Sequence, residues 1–299
     1  MVAPIPKHPQ VRYARSGELD IAYRVVGQGE RDLVIVLPTV STMELLFEPP
    51  ALALNERLAR SFRLILFDRR GTGLSAQVAA PATLEEQMAD IEAVMDATRA
   101  TNAAIYAEAE GVAMALLFAA THPQRVSHLL LLHGFARITG APGYDFARDE
   151  EARRREFIDP VIAGWGTGEW GRGLAPVLAS RDPDFVGWWG RWEALSAPPA
   201  TARALFELSG RIDVREVLPE VRVPTLVMHR PQSGMIDIRH SRYIAERIPD
   251  ATYRELPGRD AISFGDGLTE QIEACEAFVG GTARRREHDR VLATVLFTD

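Results

Sequence analysis

The chain has a single cysteine, Cys275, and a single lysine, Lys7, among 299 residues. One cysteine cannot close an internal disulfide or build a cysteine-based zinc site, so neither holds the fold. A hydrophobic core must do that, and the chain is long enough to bury one. Long apolar runs are also missing. The longest, Val112 to Ala120, falls far short of the ~20 residues of a bilayer-spanning helix, and the N-terminus lacks a basic-then-apolar signal pattern. The expected location is therefore the cytoplasm, with no membrane span. Positive charge is in the minority: 41 acidic residues against 34 basic ones leave a formal charge of -7, which gives no general attraction for nucleic acid or anionic lipid. A hydrophobic fraction of 46% with 25% charged residues excludes disorder and describes an ordinary globular chain.

Within the first 135 residues, strand-like and helix-like patterns alternate. Asp20 to Val26, Leu33 to Leu37 and Arg63 to Phe67 read as strands, the last two as continuous apolar runs of the kind that are covered on both faces. Ala51 to Arg60 and Leu84 to Arg99 space their apolar residues at helical intervals, the second with Thr83 as N-cap and Glu86 three residues on. Ala103 to Ala107, Gly111 to Thr121 and Val126 to Leu132 then form one strand–helix–strand unit. From Ile138 to Arg215 glycine is frequent, charges cluster, and all five tryptophans fall between Trp165 and Trp192, which reads as a mainly helical insertion. The alternation returns with strands at Thr225 to His229 and Thr252 to Leu256 and helices at Ile238 to Ile248 and Leu268 to Val279. The pattern predicts an α/β fold with a mostly parallel sheet: a core made of residues 1–137 and 216–280, and a cap at 138–215. Residues 281–289 read as a linker, and 290–299 as the start of a further strand.

The segment Leu64-Ile65-Leu66-Phe67-Asp68-Arg69-Arg70-Gly71-Thr72-Gly73-Leu74-Ser75, with this element order, resembles the α/β-hydrolase fold over Val11 to Val279. In that superfamily the Asp-x-Arg-Gly-x-Gly-x-Ser turn shapes the chain and does no chemistry. The nucleophile sits on a sharp strand-to-helix turn, Gly-x-Ser-x-Gly. Here the matching stretch is Ala107-Glu108-Ala109-Glu110-Gly111. A methyl group can neither attack a carbonyl nor lose a proton, so a covalent acyl-enzyme is closed at this position. The acid position matches Ser233, the base position Ala261, and no histidine occurs between His240 and His288. All three positions are degenerate. The expectation drawn from them is a non-catalytic domain with Thr39, Val40, Ala109, Glu110, His133, Phe135, Ser233 and Ala261 around a small apolar or amphipathic ligand.

Other residues compete for attention. His133 follows a strand and reads first as a hydrogen-bonded wall residue. Glu108 and Glu110 flank the elbow, where side chains on either side of a turn's apex point apart. Gly166-Thr167-Gly168-Glu169-Trp170-Gly171 fits Gly-x-Gly-x-x-Gly but follows no strand, which argues against dinucleotide binding. The tryptophans Trp165, Trp170, Trp188, Trp189 and Trp192 either line an apolar ligand chamber or pack the cap.

Arg290 to Asp299 resembles the opening strand of the class III nucleotide cyclase domain. There the aspartate matching Asp299 helps to hold divalent metal, and the substrate is a nucleoside triphosphate. Leu58 to Ser75, Leu116 to Pro123 and Trp165 to Glu169 are similar to the hydrolase-like domain fused ahead of bacterial cyclases. The resemblance implies a regulatory domain for an adenylate cyclase, with the cyclase domain and a second copy of the chain as partners and no cofactor of its own. Two alternatives stand beside it: a residual esterase or lyase that uses a non-standard group such as His133 with Asp260, and a ligand-free architectural domain.

Overall fold

The computed structural model describes Ile5, residues 9–147 and residues 149–288. The Asp299 and cyclase-strand readings lie outside these residues. An eight-stranded sheet runs in the order β1-β2-β4-β3-β5-β6-β7-β8. Its strands are β1 (Arg12–Ser16), β2 (Leu19–Val26), β3 (Arg31–Val36), β4 (Phe62–Phe67), β5 (Ala103–Glu108), β6 (Val126–Leu132), β7 (Thr225–His229) and β8 (Thr252–Glu255). β2 is antiparallel to both β1 and β4, and from β4 through β8 every pairing is parallel. This is the α/β-hydrolase fold.

The continuous apolar runs are central strands because helices cover both faces. Leu33 and Ile35 pack on one side with Leu58 of α1 (Leu52–Ser61) and Ile272. Val34 and Val36 pack on the other with α2 (Leu84–Thr98) and α3 (Gly111–Thr121). The capping box forms as its residues predict: the Glu86 amide donates to Thr83 Oγ1 at 3.2 Å and the Thr83 amide to Glu86 Oε2 at 2.8 Å. In the turn after β4 the Asp68 carboxylate accepts from the amides of Met43 at 2.6 Å and Leu74 at 2.8 Å. Burial pushes Asp68 up to about 7. Gly73 is required there, since a Cβ would lie 2.1 Å from Asp68 Oδ2.

Between β6 and β7 the chain forms short helices: α4 (Glu150–Arg153), a wider turn over Arg154–Ile158, α5 (Asp159–Ala163), α6 (Glu169–Leu174), α7 (Pro176–Arg181), α8 (Phe185–Ser196) and α9 (Pro199–Arg211). The core closes with α10 (Ile238–Arg247) and α11 (Leu268–His288). Two elements differ from the sequence reading. β1 is an edge strand whose alternation over five residues is too short to stand out. α11 continues through Gly280 and Gly281 into the segment read as a linker, because two glycines weaken a helix without ending it when its first turns are anchored in the core.

Candidate active site

Three strand ends build the candidate site. Glu108 pairs with Leu132 and Leu132 with Met228, so the residues that follow β5, β6 and β7 emerge side by side at the carboxyl edge of the sheet. Ala109 takes the left-handed conformation, φ 47°, and forms the sharp elbow between β5 and α3. Gly111 lets α3 start close to the sheet, since a Cβ would lie 2.7 Å from the Val36 carbonyl. At the start of α3 the Val112 amide donates to the Ala109 carbonyl at 3.2 Å.

The two glutamates beside the elbow serve opposite sides. Glu108 lies close to Ser263 and within electrostatic reach of Arg230, both of which favour its charged form. Glu110 acts on the charge of Arg69. Among the described residues Glu108 Oε2 is buried without a hydrogen-bond partner. Glu108 lines a cavity of about 20 Å³ with Leu54, Asn55 and Leu58 of α1, Trp192 and Phe264, which exceeds the roughly 10–15 Å³ that one water needs. Burial raises Glu108 to about 7, against the opposing effects of Ser263 and Arg230. The fully buried Arg230 donates to the Ile262 carbonyl at 3.0 Å, the Asp260 carbonyl at 3.3 Å and Gln271 Oε1 at 2.5 Å. Gln271 in turn donates to the Tyr106 hydroxyl at 3.0 Å. This network fixes the 260–263 loop that carries Ser263.

The residues expected around an apolar ligand are distributed differently. Thr39 accepts from Arg69 at 3.2 Å, Val40 packs against Ile158, Ala202 and Phe206 of the cap, and Phe135 lies edge-on to His240, with ring centroids 6.0 Å apart. Among the described residues Ser233 Oγ is buried without a partner. The amide of Ala261 donates to the Leu174 carbonyl of the cap at 2.7 Å. His133 is strained, φ 51°, and its ring meets that of His229 at 4.6 Å. Burial, then His229 and Arg230, hold it well below the usual histidine range, so it is neutral. Asp260 accepts from the amides of Val177 at 2.8 Å and Leu178 at 3.2 Å, at the start of α7. That carboxylate ties the cap down and does not pair with His133. His229 Nδ1 lies 2.9 Å from Ser241 Oγ, but that hydroxyl is buried and also bonds the Gly134 carbonyl at 3.3 Å; the pair is packing.

The aromatic chamber does not form. Trp188, Trp189 and Trp192 are buried in the same core as Leu33 and Phe264, and Trp189 stacks on Trp192 at 5.7 Å. The glycine-rich stretch of the cap wraps a carboxylate of the protein itself: the amides of Gly166 and Gly168 donate to Glu193 Oε2 at 2.6 and 3.2 Å.

A strand-end elbow beneath a helical cap, on this sheet order, defines an α/β hydrolase. Residues 51–259 match the serine aminopeptidase S33 family, and the chain belongs to that family. RutD of Caulobacter sp. (strain K31), named as a carbamate hydrolase, is 28% identical over 276 residues, 88% of this chain and 95% of its own. The esterase EaEST of Exiguobacterium antarcticum superposes with a TM-score of 0.73 at 19% identity, covering 91% of this chain and 100% of its own. The enol-lactonase of Burkholderia xenovorans LB400 gives 0.65 at 22% identity, covering 91% and 98%. The structural likenesses establish the fold. Family membership and the full-length relatives overturn the expectation of a non-catalytic, cyclase-regulating domain, since they point to hydrolysis and none of them to a cyclase. Glu108, which the sequence shows beside the elbow at the end of an apolar strand, was read there only as pointing away from Glu110.

Proposed function

We propose that the chain hydrolyses small acyl or carbamoyl compounds by direct attack of water, with Glu108 as general base and no acyl-enzyme. The observation that carries this reading is the unpartnered Glu108 Oε2 on a water-sized cavity, with burial raising the carboxyl to about 7, the range in which a base works best near neutral pH. Glu108 takes a proton from water as the water oxygen bonds to the carbonyl carbon. The oxyanion so formed is met by the amide of Glu110 and by amides of the Thr39–Val40 segment, the positions that serve this purpose in the fold. Collapse breaks the bond to the leaving oxygen or nitrogen, which recovers the proton from Glu108. Arg230 supports the carboxylate form, and the packed tryptophans restrict the acyl group to a small one. The name of RutD makes carbamates the first substrates to examine.

The test combines p-nitrophenyl acetate and an aryl carbamate with a serine-directed fluorophosphonate. Turnover should survive the reagent and fall by at least about 100-fold, the usual contribution of a general base, in Glu108→Gln. A labelled serine whose modification abolishes turnover, or the absence of any turnover, overturns the reading.

A further inference from the structure

Polar side chains run in line from Arg230 toward Glu108. Arg230 donates to Gln271 Oε1 at 2.5 Å, and Gln271 Nε2 donates to the Tyr106 hydroxyl at 3.0 Å. The sense of these bonds is forced. A guanidinium has no acceptor, so the Gln271 atom that meets it must be the carbonyl oxygen, which turns the amide nitrogen, a donor only, toward Tyr106. The tyrosine hydroxyl therefore accepts from Gln271 and keeps its one proton for a group further on. Tyr106 is buried, and a buried hydroxyl proton needs an acceptor in the protein or an enclosed water.

Tyr106 and Glu108 are two residues apart on β5 and so share a face of the sheet. Both line the same cavity, and Ser263 lines it with them. Ser263 lies close to each of them and favours the charged form of each. A serine hydroxyl accepts and donates at once, so Ser263 can accept from Tyr106 and donate to Glu108. From Arg230 outward every link then donates toward the carboxylate, and bonds aligned in one sense strengthen one another. The other ionisable groups near this line are Glu110 across the elbow, Asp260 and Asp266 beside Arg230, and Cys275 near Tyr106. A substitution within the line leaves all of them in place.

We propose that Arg230, Gln271, Tyr106 and Ser263 form a one-way hydrogen-bond chain that ends on the Glu108 carboxylate, with Tyr106 and Gln271 as positioning residues for the base. The proposal deepens the hydrolytic reading and rests on it for the role of Glu108, but the chain itself is testable by titration alone. Glutamate labelled with carbon-13 at the side-chain carboxyl lets NMR follow Glu108, whose signal is identified by its loss in Glu108→Gln, and thermal melts check folding. Tyr106→Phe keeps the ring and removes the middle link, so the titration midpoint of Glu108 should rise by at least about half a pH unit, a roughly threefold gain in proton affinity. Ser263→Ala, which removes the last donor, should raise it as well. Gln271→Met releases Tyr106 from its fixed sense, should also raise the midpoint, and decides the matter if Tyr106→Phe does not fold. A midpoint that stays in place or falls in any of these variants that folds overturns the proposal. Raised midpoints in a protein without turnover keep the chain and sink the hydrolytic reading. Turnover that Glu108→Gln abolishes, with a midpoint that Tyr106→Phe leaves unmoved, does the reverse.

Discussion

Replacing Glu108 with glutamine keeps the shape of the side chain but removes the ionisation. In the folded protein, burial moves this carboxyl from its ordinary 4.5 to about 7, so the native state holds the proton more tightly than the unfolded chain does. The stability this contributes is complete below pH 4.5 and is lost as pH rises through about 7. At about 1.4 kcal/mol per tenfold change in proton affinity, the loss is roughly 3 kcal/mol. Glutamine does not titrate. The stability of Glu108→Gln relative to the unaltered protein should therefore grow by roughly 3 kcal/mol between pH 4.5 and pH 8. Asp68, also raised to about 7, titrates in both proteins and cancels in the difference. Urea unfolding of both proteins at several pH values reads this directly. Two curves that stay parallel across the range would show that Glu108 is solvated, and would remove the physical basis for its role as a base near neutrality.

Three further outcomes are expected. Asp260→Ala frees the start of α7 and should cost about 1–2 kcal/mol, as the loss of a helix cap does, with faster proteolysis within 176–181 as the readout. Asp90→Asn leaves the nine-tenths buried Arg70 with only the longer, half-exposed pair to Glu86 at 3.8 Å and should cost about 3 kcal/mol in denaturant melts; a change under 1 kcal/mol would mean that water reaches the pair. Ala109→Gly relieves a left-handed alanine, so the melting temperature should hold or rise, by up to about 1 kcal/mol of stability. A marked fall would show that the Ala109 methyl packs against something essential.

The sheet and the elbow were legible because they rest on local patterns: apolar runs, a capping box at Thr83 and Glu86, and small residues at 109 and 111. What the tryptophans do was not legible. Their spacing fits a chamber wall and a packed core equally, and only the approach of α8 to Phe264 decides between them. The glycine-rich stretch at 166–171 needed its partner, Glu193, which lies more than twenty residues away. That Glu108, Arg230 and the 260–263 loop come together depends on three strand ends meeting in space. The sequence shows Glu108 beside Ala109, but not that its carboxylate is buried close to Arg230.

The most direct test of the hydrolytic account is the pH dependence of kcat/KM for a small activated ester or carbamate. A base with a pKa of about 7 must be deprotonated to act, so the rate should rise tenfold per pH unit below about 7, level off above it, and collapse at all pH values in Glu108→Gln. A flat profile, or a rate that Glu108→Gln leaves intact, would contradict the assignment of Glu108 as the catalytic base.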